Sequence, residues 1–136
     1  MTPIVNLLES DLSVGFAAPF LSYAGASVQN VGKTFDTIEE MEAFAAYFTN
    51  LNKSHVIYAE QIVGACLIFR RDLLTTIGGN DFWYGIGNFD DVDWCIRARL
   101  AGYKIAVVGG SFVHHIGHAS FLLVADQHIQ STNQPG

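Results

Sequence analysis

Asp90, Asp91 and Asp93 put three carboxylates within four residues, directly after the glycine-bearing stretch Gly85-Ile86-Gly87-Asn88-Phe89. An apolar periodicity begins at once. Val92, Ile96 and Leu100 recur at i, i+4 and i+8 with Cys95 alongside, which predicts a helix with one apolar stripe. Gly102 stands where that helix would stop. The acids therefore open a helix at the mouth of a loop. Such acids have an ordinary use. Asn88 or Asp90 can serve as the N-cap, and carboxylates in a first turn complement its exposed N–H groups and the positive end of the helix dipole. Three acids exceed what a cap needs. Their repulsion is costly unless a cation or a proton-accepting role offsets it. One acid can cap while its neighbour faces a cleft, so the two uses are compatible.

A second cluster is His114, His115 and His118 in Phe112-Val113-His114-His115-Ile116-Gly117-His118. In an extended segment His114 and His115 point to opposite faces and do not easily share an ion. His115 and His118 converge if Gly117 makes a turn. A Zn or Mn site needs further ligands that this segment does not supply, and a core histidine with a hydrogen-bonded ring is the commoner outcome. Phe82, Trp83 and Tyr84 form an aromatic cluster beside the acids, suited to a sugar-stacking wall or to plain core. Gln29-Asn30 lies in a polar loop and can hydrogen-bond a ligand, although loop amides are usually just solvated. Arg70-Arg71 can meet a phosphate or pair with local acids, and an acidic chain favours the second.

Composition narrows the class. The chain has 136 residues, half of them hydrophobic and only 15% charged, with a formal net charge of −6. That is enough for one domain with a real core and too apolar for disorder. The acidic balance argues against nucleic acid. Cys66 and Cys95 sit far apart in apolar segments and read as buried free thiols of a reducing compartment. No apolar run reaches the ~18–20 residues of a membrane span, and the start lacks a secretory pattern. A cytoplasmic address is the expectation.

The positioning elements follow from pattern. Ile4, Leu7 and Leu8 share a helical face. A short buried strand is expected over Val14–Leu21, broken by Pro19. Thr37-Ile38-Glu39-Glu40 is a capping box, and it opens a helix to about Asn50 with a buried stripe of Ile38, Met41, Ala45 and Phe48, Phe44 alongside. A strand is expected over Tyr58–Phe69, with Gly64 marking a bulge or a close approach. Arg70-Arg71-Asp72 opens a short helix, with Leu73, Leu74 and Ile77 apolar, that Gly78-Gly79 closes. A strand is expected over Tyr103–Val108, with Gly109-Gly110 turning the chain. Residues 122–136 read as a loosely held tail.

Several blocks now stand in one order. They are Val63-Gly64-Ala65-Cys66-Leu67-Ile68-Phe69-Arg70-Arg71, Ile77-Gly78-Gly79, Gly87-Asn88-Phe89-Asp90-Asp91-Val92-Asp93-Trp94-Cys95-Ile96-Arg97, Ala101-Gly102-Tyr103 and Phe112-Val113-His114-His115-Ile116-Gly117. Over about residues 5–121 this order resembles the second half of a family 2 glycosyltransferase with the GT-A fold. The ordered string is specific, whereas any one block is weak. The resemblance implies a partial GT-A-like α/β domain, a mixed sheet with packing helices that forms the acceptor-side half. It implies that Asp91 is the general base for the acceptor hydroxyl, with Asp90 as its neighbour. It sets His115 near the nucleotide diphosphate as a metal ligand and Gly64 beside the sugar cleft. Trp83, Asn88 and Asp93 join Gly64 as candidate substrate contacts. Partners by resemblance are a nucleotide-sugar, a carbohydrate acceptor and a divalent Mn or Mg ion.

Enzymes of this family begin with a nucleotide-binding half that ends in an Asp-x-Asp motif, and no such motif precedes residue 14. The expectation is a half-domain that is inactive alone, joined by a partner chain or self-associating as a homo-oligomer through exposed edges. The alternatives are a non-catalytic carbohydrate-binding or interaction module of the same fold and, more remotely, a small metal-binding protein built on His115, His118 and the acids.

Overall fold

The computed structural model describes residues 1–25, 27–79 and 90–115, the Asp90 side chain excepted. Among these residues four helices and four strands run in the order α1 (Thr2–Ser10), β1 (Val14–Leu21), α2 (Ile38–Leu51), β2 (Val56–Ala59), β3 (Ile68–Phe69), α3 (Arg71–Ile77), α4 (Asp90–Leu100) and β4 (Lys104–Val113). The strands form one mixed open sheet, β2-β4-β1-β3. The central pair β1 and β4 is parallel, and both flanking strands are antiparallel to it.

β1 is apolar throughout because it is covered on both faces, as parallel central strands are. Phe16 and Ala18 join Ile105 and Val107 under α3 and α4, where Leu73, Cys95 and Ala98 complete the core. Val14, Ala17, Ala106 and Val108 face α1 through Ile4 and Leu8. Val14 and Phe16 fall on opposite sides because the register slips between them. Gly15 occupies that slip, against Tyr103.

Four sequence expectations need correction. Pro19 does not break β1. It pairs with Val108 in register, and the slip comes just after it, before Phe20 meets Phe112. Proline is tolerated at such a bulge because a ladder N–H is already missing there. Gly109-Gly110 does not turn the chain. β4 runs through both glycines to Val113, and with Ser111 they are the extra residues of the same bulge. A Cβ on Gly109 would collide with the Asn52 carbonyl oxygen, and one on Gly110 would sit 3.1 Å from Pro3. The strand expected over Tyr58–Phe69 is two short strands, β2 and β3, with Gly64 in the connecting turn. Apolar residues there are split between opposite sheet edges, which an apolar run alone does not reveal.

The fourth correction concerns helix faces. In α4 the inward residues are Cys95 and Ala98, with Trp94 packed against the same core, whereas Ile96 is 47% and Leu100 83% exposed. The stripe is rotated by one position from Val92-Ile96-Leu100. In α2 no residue is fully buried, and Ile38 is 68% exposed. The helix is held instead by Phe44 and Phe48 stacking on Phe112, at 5.4 and 5.7 Å between ring centroids, with Phe48 5.3 Å from Phe20.

The ends of the helices follow expectation more closely. Glu40 N–H donates to the Thr37 hydroxyl, and the Glu40 carboxylate accepts from Asp36 N–H, one residue earlier than the ideal box. Gly102, at φ +93°, closes α4 with the N–H of Tyr103 on the Ala98 carbonyl and its own N–H on Arg99. This is the paired bonding of a glycine C-terminus. Both cysteines are free, but only Cys95 is fully buried.

Candidate functional site at the C-terminal edge of the parallel strands

A short turn joins α4 to β4 while the helix packs on β4 and β1. α4 therefore runs antiparallel to those strands, and its N-terminus lies toward their C-terminal ends. In open α/β sheets that edge is where ligands bind.

The rotated stripe of α4 brings Asp91 onto the inward face, one turn from Cys95 and two from Ala98. Its Oδ2 accepts from the Gly64 N–H at 2.9 Å, and its Oδ1 accepts from Val92 N–H at 2.9 Å. Gly64 comes so close that a Cβ there would stand 3.3 Å from the Asp91 Cβ. The sequence reading expected a strand bulge or a close approach by another backbone or a ligand at Gly64; what approaches is the Asp91 side chain. Beneath it, burial pushes the Cys95 thiol above its ordinary range, and the Asp91 charge adds to the effect. That thiol stays protonated and unreactive at neutral pH.

The turn bearing Gly64 is fastened by Gln29. Its Oε1 accepts from Val63 N–H at 2.7 Å, and its Nε2 donates to the Pro19 carbonyl at 3.0 Å. Gln29 is fully buried, contrary to the solvated amide expected. The following residues run beside the end of β1, with Leu21 N–H on the Gln29 carbonyl and Val31 N–H on the Leu21 carbonyl.

One level further along the same edge, Ser22 and the two histidines form a knot. The buried Ser22 Oγ lies 2.9 Å from His114 Nδ1, accepts from His115 N–H at 2.8 Å and reaches the His115 carbonyl at 3.1 Å. The His114 ring also stands edge-on to Phe35. His115 Nδ1 meets the Tyr23 carbonyl at 2.9 Å. A carbonyl only accepts, so Nδ1 carries the proton and the lone pair of neutral His115 is on Nε2. That tautomer is one of the two that metal-ligating histidines use. Both groups lie toward the C-terminal ends of β1 and β4, Asp91 at the start of α4 and His115 two residues past Val113.

Asp93 is drawn elsewhere. Its carboxylate pairs with Arg97 one turn on, at 3.0 Å. The same guanidinium donates to the Ile77 and Gly79 carbonyls, each at 2.7 Å, while Trp94 Nε1 donates to Gly78 at 2.9 Å. Asp93 thus helps to hold the end of α3 on α4. Arg70 donates to the Leu8 and Leu12 carbonyls and lies 3.5 Å from Asp72, so the local acid and backbone take it rather than an external anion.

Trp83, Asn88, His118 and the tail at 122–136 lie outside the described residues, as does the Asp90 side chain. Among the described residues no group of three or more His, Cys, Asp or Glu comes together as a metal would require. His115 fits one ligand position and cannot hold a divalent ion alone. Among the described residues an open groove of about 540 Å³ lies beside α2, lined by residues that include Lys33, Phe35, Glu40, Phe44 and Tyr47. No described helix is long and apolar enough to cross a membrane.

Sequence reasoning named Gln29 only as a loop amide and missed its burial, and it missed Ser22 altogether, because a buried polar residue in a loop has no periodic signature. The only signal was their place just past a strand of unbroken apolar character, where chain ends need hydrogen-bond partners. Neither family models nor curated proteins yield a match for this chain, and what stands is an α/β domain with a mixed four-stranded sheet.

Proposed function

We propose that this chain is the acceptor-side half of an inverting glycosyltransferase, with a GT-A-like architecture, that moves a sugar from a nucleotide-sugar to an acceptor hydroxyl. The observation that supports it most is the inward position of Asp91 at the start of α4, on the sheet edge that also carries His115. In the complete reaction the acceptor oxygen forms the new bond to the anomeric carbon. The bond from that carbon to the donor phosphate breaks, and the nucleoside diphosphate leaves with its electron pair. Asp91 takes the acceptor proton, which requires hydrogen-bond reach to the hydroxyl. His115 offers Nε2 toward the diphosphate side. A divalent ion would neutralise the leaving diphosphate. The described donors fall short of a full ligand set, so no step is assigned to it.

The second reading is a non-catalytic carbohydrate-binding or interaction module. It draws on the two backbone N–H groups that already engage the Asp91 carboxylate, an arrangement suited to holding a loop. Both readings place sugar at the Gly64 turn, and the test separates them from a purely structural role. Amide spectra of the chain are followed while mono- and disaccharides are added to millimolar concentration, with and without a nucleoside diphosphate and Mn²⁺. Perturbation of Gly64 and Val92 that vanishes in Asp91→Asn supports sugar binding at Asp91. Absence of any saccharide response removes the transferase and the carbohydrate-binding module alike and leaves only an interaction module that takes no sugar. Turnover on adding a separate nucleotide-binding chain, lost in Asp91→Asn, selects the transferase, and turnover that survives the substitution rejects Asp91 as the base.

A further inference from the structure

We infer that Gln29 is the positioning residue of this edge: its buried amide sets the Gly64 N–H against Asp91 and so fixes the carboxylate's orientation. The sheet has a gap beside the end of β1. β3 pairs with β1 only at Phe16 and Ala17, and the 29–31 segment takes over at Leu21 through a single bridge to Asn30. Between them lies the carbonyl of Pro19. Buried carbonyls are almost always paired, and here the Gln29 Nε2 supplies the donor. The same amide turns its oxygen to Val63 N–H. A side-chain amide thus does the work of a strand peptide, donating on one side and accepting on the other.

The consequence passes to the next residue. With Val63 fixed, the neighbouring Gly64 N–H is left pointing at Asp91 Oδ2. Ser27 braces the amide from behind. Its Oγ lies 3.2 Å from Gln29 Oε1 and accepts from Gln29 N–H, also at 3.2 Å. A glutamine with no exposed surface and hydrogen bonds at both ends of its amide has one allowed orientation. Glutamate would set a second acceptor against the Pro19 carbonyl, and asparagine would fall a methylene short. The function of this relay rests on the proposal that Asp91 is the base or sugar ligand, whereas the relay itself stands on the contacts alone.

Two readouts from amide spectra of the full chain test it: exchange rates at Val63 and Gly64, and the movement of the Gly64 proton shift as Asp91 titrates. Gln29→Met keeps the length and removes both hydrogen bonds. It is expected to speed exchange at both amides by tenfold or more and to uncouple the Gly64 shift from the Asp91 titration, with α2 and β4 amides unchanged. Asp91→Asn is expected to abolish the titration while Val63 stays protected, which places Gln29 ahead of Asp91 in the relay. A Gln29→Met chain whose Gly64 titrates as in the parent overturns the inference. If that variant does not fold, Ser27→Ala serves: a severalfold rise in Val63 exchange supports the relay, and no rise overturns it. Loss of saccharide binding with the relay intact would sink only the functional reading.

Discussion

Replacing Arg97 by alanine tests how the acid-bearing helix is held. The guanidinium makes three contacts, to Asp93 at 3.0 Å and to the carbonyls of Ile77 and Gly79 at 2.7 Å. Hydrogen bonds to a charged group contribute about 1.5–3 kcal/mol each. The Arg97 side chain keeps 30% of its surface exposed, so solvent screening lowers the total, and about 2–3 kcal/mol for the set is the working figure. With roughly 2.1 cal/mol/K of unfolding entropy per residue over 136 residues, this lowers Tm by about 7–10 °C. Thermal melts by circular dichroism read it directly. Arg97→Lys is expected to lose most of the same amount, because a point ammonium cannot span two carbonyls as the planar fork does. Asp93→Asn is expected to cost less, since it removes one arm of three. If Arg97→Ala melted within about 1 °C of the parent, the fork would be idle and this account of how α4 is fixed to α3 would fail.

Four further outcomes follow from the same geometry. Gly109→Ala, driven onto the Asn52 carbonyl, is expected to cost about 1–3 kcal/mol, whereas Gly79→Ala, with open space around it, serves as a control near zero; denaturant titrations compare them. Thr37→Ala removes the hydroxyl that accepts from Glu40 N–H and is expected to cost about 1 kcal/mol, visible as reduced helicity at the start of α2 by carbon chemical shifts. A thiol reagent is expected to label Cys66 well before Cys95, which is buried with its pKa raised. The folded Cys95 holds its proton where the unfolded one releases it. Its contribution to stability is therefore full below about pH 8.5 and lost as pH rises above that. Midpoints measured across alkaline pH should fall less in Cys95→Ala than in the parent.

The sequence carried the elements better than their environments. Helix ends were legible because caps are local: Thr37, Gly78 and Gly102 each act within a few residues of themselves. β1 was legible because a strand covered on both faces is apolar throughout. What escaped depended on distant partners. The rotation of α4 turns on which helix face meets Phe16 and Ile105, and Trp94 at 5.1 Å from Phe16 decides it without altering the Val92-Ile96-Leu100 spacing. Pro19 and Gly109-Gly110 read as a breaker and a turn when taken singly. They are two sides of one bulge, visible only when β1 and β4 are paired. The Asp91–Gly64 contact was half legible, since a glycine within an apolar run signals an approach without naming what approaches.

The register of the central pair also bears on how the chain acquires its shape. Val14 faces Lys104 across 90 positions. At roughly 5–20 residues per second a ribosome needs about 5–18 s to deliver β4 after β1. For that interval the most apolar strand has no neighbour on its inner side. Short-range helices form early, but the sheet closes only with the last strand, so folding is expected to be slow for the chain's length. A chaperone that shields Val14–Leu21 during synthesis would improve yield more than one acting after release.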